Sequence, residues 1–488
     1  MLLDLFPAGL EPDRLLAVDA AGVRLYGRDL DAASAILSRA LGERALVFLL
    51  CKNDPGTLLG YLGCLRYGAV PLLLDSSISP NLLQELAETY HPGFYYVPGD
   101  LPAETRTVLP HAAPALELHG SLLLPSGEAE SCPLHPELAL LLTTSGSTGS
   151  PKLVRLSGRN LAANAASIVQ YLELGPDERP ITTLPMSYSY GMSIVNSHML
   201  AGAPILLTNS SILERDFWDM ARREGATSLA GVPYTYQMFR RLGLSTMELP
   251  RLRYLTQAGG KLSLELQREF AAWAAETGRR FYVMYGQTEA APRMGYLPPE
   301  WAVEKCGSMG IPIPGGQFRL EDAGGGEITA PDTVGELIYR GENVAMGYAQ
   351  AAADLVKGDE WKGLLATGDM ARRDEDGFYY IVGRKKRFVK LYGNRVNLDE
   401  VERLLAARFP DAGFACAGRD DLLCVYTDSR DPVLPEAALC YISGVTQISS
   451  RAFHVQAIDS IPKNESGKTL YTALSEYGVG HSPGDGIV

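Results

Sequence analysis

LALLLTTSGSTGSPKLVRLS, residues 138–157, runs a strongly apolar stretch into a loop of serine, threonine and glycine that ends at Lys152. The apolar run has the length and composition of a buried β-strand. Glycines 146 and 149 let backbone N–H groups converge, and the hydroxyls of Thr144, Ser145, Ser147 and Thr148 add donors. With the charge of Lys152, such a loop suits phosphate. A flexible Ser/Gly linker is the competing reading, although a linker rarely follows an apolar strand directly. A Walker loop requires Gly-Lys-Ser/Thr, and the chain has Gly149-Ser150-Pro151-Lys152, which disfavours P-loop kinase or ATPase chemistry.

Outward from that strand, the first half alternates helical patterns with short apolar runs: ALVFLL, AVPLLLD, GFYYVP, PILLTN, TSLAGVP and YLTQAGG. This rhythm predicts layered α/β structure with largely parallel sheets. From about Gly307 the texture changes to the strand-and-turn segments GIPIPGGQFRLED, GELIYRG and GFYYIVGRK, expected to form a small β-rich subdomain. The basic cluster GRKKRFVK then precedes a short tail with strands and helices of its own. The expected organisation is a large domain over residues 1–385 and a small mobile α+β lid domain over 386–488, hinged at Lys386.

With 488 residues, 46% hydrophobic and 21% charged, the chain has the balance of a folded multi-domain protein. Its net charge of −13 gives no general support for binding nucleic acid or anionic lipid. The start, MLLDLFPAGLEPDR, does not read as a signal peptide, and LLGYLGCLRYGAVPLLL is broken by Arg66, Gly68 and Pro71 as a helix, turn and strand would be. A cytoplasmic protein with no membrane span is expected. Seven scattered cysteines lack paired CxxC spacing, and no two of the seven histidines have helical metal-ligand spacing, so reduced thiols and no structural metal are expected.

Further blocks follow in order: QAGGK at 257–261, YGQTE at 285–289, GSMGIPIPG from Gly307, GELIYRGENVAMGY from Gly335, TGDMARRDEDGFYYIVGRKKR from Thr367, KLYGNRVNLDEVE from Lys390, and IPKNESGK ending at Lys468. Taken singly, YGQTE suits a strand end with a capping Thr-Glu pair, and a lysine in a Gly-containing loop is ordinarily solvated. As an ordered set spanning roughly residues 140 to 470, they resemble the adenylate-forming superfamily of acyl- and aryl-CoA synthetases, nonribosomal-peptide adenylation domains and luciferases, whose phosphate loop looks like TSG-S/T-TGxPK.

The resemblance implies an AMP-forming acid–thiol ligase using ATP and Mg2+. It places Tyr285 against adenine, Thr288 at the α-phosphate, Glu289 on the magnesium, and the backbone at Gly259 and Gly260 beside the base. Asp369 holds the ribose hydroxyls, and Arg384 reaches the phosphate or ribose. Lys468 offsets the repulsion between an attacking carboxylate and the α-phosphate. The small domain swings about Lys386 between half-reactions and brings the loop around Gly393 to the thiol tunnel. Where relatives commonly have an acidic residue after the hinge, this chain has Arg387.

The resemblance assigns Tyr188, Ser189, Gly231, Ala258, Met284, Pro292 and Arg293 to the substrate pocket. Amino-acid-activating relatives usually place an aspartate where this chain has Ser189, which points to an acid lacking an α-amino group. Arg293 facing inward would select a polar or anionic substituent; facing solvent or a neighbouring carboxylate, it would select nothing. CoA and the phosphopantetheine of an acyl or peptidyl carrier protein remain equal candidates for the acceptor. An amino-acid-activating stand-alone adenylation enzyme, a nucleotide-binding relative that has lost turnover, and a luciferase-like oxidase are the alternatives.

Overall fold

The structure is a computed structural model that describes residues 11–127, 133–143, 152–385, 387–392, 394–419, 421–463, 469–471 and 473–474. It divides into two compact units, Met1–Phe318 with Tyr339–Leu365 and Arg319–Ile338 with Ala366–Val488.

The opening strand, Leu138–Thr143, lies inside an eight-stranded sheet of the first unit. It pairs in parallel with Val70–Asp75, which pairs in parallel with Leu46–Cys51 and, through it, Phe94–Pro98. These strands are near-continuous apolar runs because both faces of the sheet are covered. The connecting helices carry the signals expected at their ends. Asp54 accepts from the Thr57 N–H at 2.8 Å, Pro55 opens the helix Pro55–Tyr67, and Gly68 closes it at φ 91°. The LLGYLGCLRYGAVPLLL stretch is therefore a buried helix, a glycine turn and a strand, as expected. Among the described residues no helix is long and apolar enough to cross a membrane.

A five-stranded sheet in the same unit orders Ser228–Gly231, Tyr254–Gln257, Arg280–Gly286, Arg293–Leu297 and Ile311–Pro312. The first three run parallel and the last two antiparallel. The helices Gly158–Leu172 and Ser189–Ala201 pack on each other beside it. The second helix is buried on nearly all sides, which explains its weak amphipathic pattern.

The second unit holds most of a four-stranded sheet, in the order Gln317–Glu321, Gly335–Arg340, Leu364–Arg373 and Tyr379–Arg384. It also holds the hairpin Phe388–Leu391/Asn394–Asn397 and a three-stranded sheet of Phe414–Arg419, Leu422–Thr427 and Phe453–Ala457, covered by the helices Leu398–Arg408 and Leu434–Thr446. The α/β class, with a large N-terminal part and a small C-terminal one, is as the sequence implied. The six described cysteines are free thiols; Cys51, Cys64, Cys416 and Cys424 are buried, as expected of core thiols, whereas Cys306 is half-buried and Cys440 exposed, and Cys132 lies outside the described residues.

Candidate active site

The phosphate-loop candidates Thr144, Ser145, Gly146, Ser147, Thr148 and Gly149 lie outside the described residues, as do Lys386, Gly393 and Lys468. The segment 144–152 is bracketed by an antiparallel pair, with Thr143 opposite Leu153. Lys152 is described: its Nζ sits 3.2 Å from the centre of the Tyr348 ring, a cation–π contact. The Tyr348 hydroxyl donates to the Glu289 carboxylate at 2.8 Å. One ring thus joins Lys152 to Glu289, the candidate phosphate-loop lysine to the candidate magnesium ligand. Arg155, fully buried, fixes that ring's backbone by donating to the Tyr348 and Met346 carbonyls at 3.1 and 3.2 Å, and it pairs with Glu360 at 2.5 Å. Tyr348 was not singled out from the sequence, although it closes the quoted block GELIYRGENVAMGY.

The YGQTE block ends the strand Arg280–Gly286 and enters a single 3₁₀ turn, Thr288–Ala290. Gly286 has to be glycine: a Cβ there would stand 1.8 Å from the Pro292 carbonyl oxygen. Tyr285 meets Phe318 edge-on with ring centres 6.2 Å apart, and Gln287 Nε2 donates to its hydroxyl at 3.3 Å. Thr288 Oγ1 lies 3.2 Å from Ser189 Oγ, the first residue of the buried helix. Ser189 is thus the point where the candidate adenylation residues meet the candidate substrate-pocket residues.

Tyr188 caps that helix, and burial pushes its phenol above the ordinary tyrosine pKa, with Arg293 opposing. A Cβ on Gly259, which sits at φ 83°, would approach the Tyr188 hydroxyl to 2.6 Å, so the glycine turn after the strand Tyr254–Gln257 leaves room for this ring. Gln257 holds the turn by donating to the Gly260 carbonyl at 2.8 Å. Gly231 ends the neighbouring strand, and Ala258 and Met284 are buried in the same apolar cluster as Tyr190 and Tyr254.

Pro292 follows a cis peptide bond, and Ala291 before it turns at φ 60°. Asn343 donates to the Ala290 and Arg293 carbonyls at 2.7 and 2.8 Å, and Asn164 donates to the Arg293 carbonyl at 3.0 Å. This tethering sends the Arg293 side chain inward, where it is 2% exposed. Its Nε donates to Ser193 Oγ and its Nη1 to the Tyr171 hydroxyl, both at 3.2 Å, with Met284 Sδ alongside. The guanidinium carbon lies 4.3 Å from the Tyr190 ring centre.

His198 lines the same small cavity as Arg293. Its Nδ1 lies 2.8 Å from the Ile194 carbonyl and therefore carries the proton, leaving Nε2 to accept from the Tyr254 hydroxyl at 3.0 Å. Burial holds its pKa down to about 4 from 6.5, and Arg293 pushes the same way. The folded state keeps this histidine neutral while the unfolded chain takes up a proton below pH 6.5, so stability present at neutral pH is lost as pH falls through the window from about 6.5 to about 4. Urea unfolding across that range should show a loss of about 3 kcal/mol in the parent that His198→Gln does not share.

In the second unit, Asp369 and Arg384 stand opposite each other on neighbouring strands and form an ion pair at 2.6 Å. Asp369 is 3% exposed. Its backbone N–H donates to Thr367 Oγ1 at 3.0 Å, and that hydroxyl donates to the Leu337 carbonyl at 2.8 Å. The two nucleotide-clamp candidates are thus brought together. Arg387 is turned away from any ligand role: Nε pairs with Asp399 and Nη2 with Glu402, both at 2.6 Å, and Nη1 donates to the Cys416 carbonyl at 2.9 Å.

Residues 12–349 match the family described as AMP-binding enzyme. The indoleacetate–CoA ligase of Aromatoleum aromaticum is 30% identical over 439 residues, covering 85% of this chain and 84% of that enzyme. The 2-succinylbenzoate–CoA ligase of Bacillus pumilus is 26% identical over 474 residues, 92% of this chain and 93% of that one. Among solved structures, the o-succinylbenzoate CoA synthetase (MenE) of Bacillus subtilis in complex with the acyl-adenylate intermediate OSB-AMP superposes with a TM-score of 0.77 at 22% identity, covering 97% of both chains. ATP-bound MatB from Rhodopseudomonas palustris gives 0.75 at 22% identity, covering 98% of both. The two structures support the fold; the family match and the ligase relatives support the chemistry. The chain belongs to the AMP-binding enzyme family and is an AMP-forming acid–thiol ligase.

Proposed function

We propose that this ligase activates a small carboxylic acid lacking an α-amino group as an acyl-adenylate and passes the acyl group to a thiol of CoA, with a carrier-protein phosphopantetheine as the second candidate acceptor. The observation that carries the reading is the contact chain Lys152–Tyr348–Glu289 together with Thr288–Ser189, which supports a site that takes phosphate beside one end of this turn and carboxylate beside the other.

The residues fit Mg-ATP. Magnesium between phosphates needs only one or two protein carboxylates, and Glu289, aimed by Tyr348, is such a group. When bound, the ion would neutralise phosphate charge. Thr288 orients the α-phosphate, Tyr285 stacks on adenine, the backbone at Gly259 and Gly260 borders the base, and Asp369 accepts from the ribose hydroxyls while Arg384, paired with it, reaches the phosphate or ribose. Thr144 to Gly149 cradle the departing phosphates, and Lys468 stabilises the charge that develops as carboxylate meets phosphate. The carboxylate oxygen bonds to the α-phosphorus as pyrophosphate leaves. The thiol sulfur then bonds to the carbonyl carbon, and AMP leaves with that oxygen. Rotation about Lys386 exchanges Lys468 for the loop at Gly393 between the two steps.

Ser189 supports the substrate class, because it offers a hydroxyl where amino-acid activation calls for a carboxylate. The IPKNESGK block, retained whole up to Lys468, supports turnover over a purely nucleotide-binding role. Exchange of labelled pyrophosphate into ATP, screened with aromatic, fatty, hydroxy, dicarboxylic and amino acids, tests the reading. Stimulation by a non-amino acid is expected, and stimulation by α-amino acids alone would overturn it. Tyr348→Phe should raise the KM for Mg-ATP about tenfold, because it removes a hydrogen bond to a charged carboxylate. An unchanged KM would remove Tyr348 from the site.

A further inference from the structure

Arg293 combines three features that a structural arginine rarely has together. It is nearly inaccessible, it forms no ion pair among the described residues, and it borders a small cavity. The other buried arginines among the described residues are neutralised: Arg155 has Glu360, and Arg387 has Asp399 and Glu402. A guanidinium out of water without a carboxylate is costly, because hydroxyl and sulfur contacts return only part of the lost hydration.

The partners of Arg293 are neutral. Ser193 and Tyr171 accept from it, Tyr190 offers a ring face, and His198 across the cavity is uncharged. Among the described residues its Nη2 has no hydrogen-bond acceptor, so one edge of the planar fork remains for a further group. The surroundings are an apolar cluster that includes Ile168, Leu172, Ala230 and Met284. From Thr288 inward, its hydroxyl lies 3.2 Å from that of Ser189, Tyr188 and Tyr190 are the residues on either side of Ser189 with ring centres 6.3 Å apart, and the Arg293 guanidinium lies 4.3 Å from the Tyr190 ring centre. A substrate with its reacting carboxylate at Thr288 and its body along these rings would end at Arg293.

We propose that Arg293 is the specificity-determining residue of the acyl site and that the acid activated by this chain carries a second carboxylate at the end remote from the reacting one. The inference rests on the ligase reading and deepens it. Only an anionic substituent completes the electrostatics that the protein leaves open, and a planar carboxylate matches the arginine fork.

The test uses the purified full-length protein and pairs of aliphatic and aryl acids matched in length, one member of each pair bearing a terminal second carboxylate. Pyrophosphate exchange gives kcat/KM for each, and titration calorimetry gives binding of the same acids. At one chain length the diacid should exceed its monoacid partner about tenfold or more. Arg293→Gln should bring the diacid-to-monoacid ratio down by at least that factor, while Arg293→Lys, which keeps the charge and loses the fork, should fall between. The variants' melting curves are read alongside, and a Gln variant that unfolds leaves the Lys variant and the parent ratio to decide. Preference for the monoacid in every pair, or a ratio that Arg293→Gln or Arg293→Lys leaves at the parent value, overturns the inference without touching the ligase reading. Arg293-dependent binding of diacids with no exchange for any acid would instead overturn the ligase reading and keep the anion site.

Discussion

Lys468→Ala lowers acid-dependent exchange of pyrophosphate into ATP by about 100- to 1,000-fold, the range found when one positioned donor is removed from a transition state of developing charge. The reason is electrostatic. The attacking carboxylate and the α-phosphate are both anionic, and the surface of a chain with net charge −13 gives no general relief. Lys152 lies against the Tyr348 ring and Arg384 pairs with Asp369, so each of these cations is already engaged. The variant should bind ATP with an affinity near that of the parent, because the lost interaction is made chiefly in the transition state. It should also transfer acyl groups from a supplied acyl-adenylate to thiol with a far smaller defect. Equal losses in the two half-reactions would mean that Lys468 holds structure, not charge.

Arg387→Ala destabilises the C-terminal unit by about 3–5 kcal/mol, the usual result of leaving buried charges without their partner. Arg387 is 8% exposed, with Asp399, Glu402 and the Cys416 carbonyl around its fork and the Tyr471 ring 3.6 Å from its guanidinium carbon. Glu402 also accepts from the Tyr471 hydroxyl at 3.0 Å and the Cys416 N–H at 2.6 Å, so an alanine at 387 strands a carboxylate among fixed donors and apolar neighbours. Urea unfolding followed by circular dichroism measures the effect. Adding Glu402→Gln to Arg387→Ala should recover part of the loss, since an amide costs less to bury than a charge. A loss below about 1 kcal/mol, the size of an exposed pair, would contradict the geometry.

The layered fold was legible because its strands are continuous apolar runs with turn residues at both ends, as in AVPLLLD and LALLLTT. Composition could not show how the chain divides: Arg319–Ile338 joins the C-terminal compact unit through contacts distant in sequence. The identities of Thr288, Glu289, Asp369 and Arg384 were readable in short local blocks, whereas the residues that aim Glu289 and Arg293 were not. Tyr348 lies 59 residues from the carboxylate it orients, and Asn343 lies 50 residues from the carbonyl by which it helps to aim Arg293. The direction of Arg293 depends on those tethers, so the residue alone left both readings open. The role of Arg387 had a local signal in NLDEVE, where Asp399 and Glu402 fall three apart on one helix face and await a cation.

Acyl-adenylate formation requires a carboxylate oxygen to attack the α-phosphorus of ATP. Turnover of an accepted acid labelled with 18O in its carboxylate, in the presence of CoA, tests this directly by mass spectrometry of the nucleotide product. One label atom in the AMP phosphate is the result this mechanism requires. Label in inorganic phosphate or pyrophosphate, or formation of ADP in place of AMP, would contradict it.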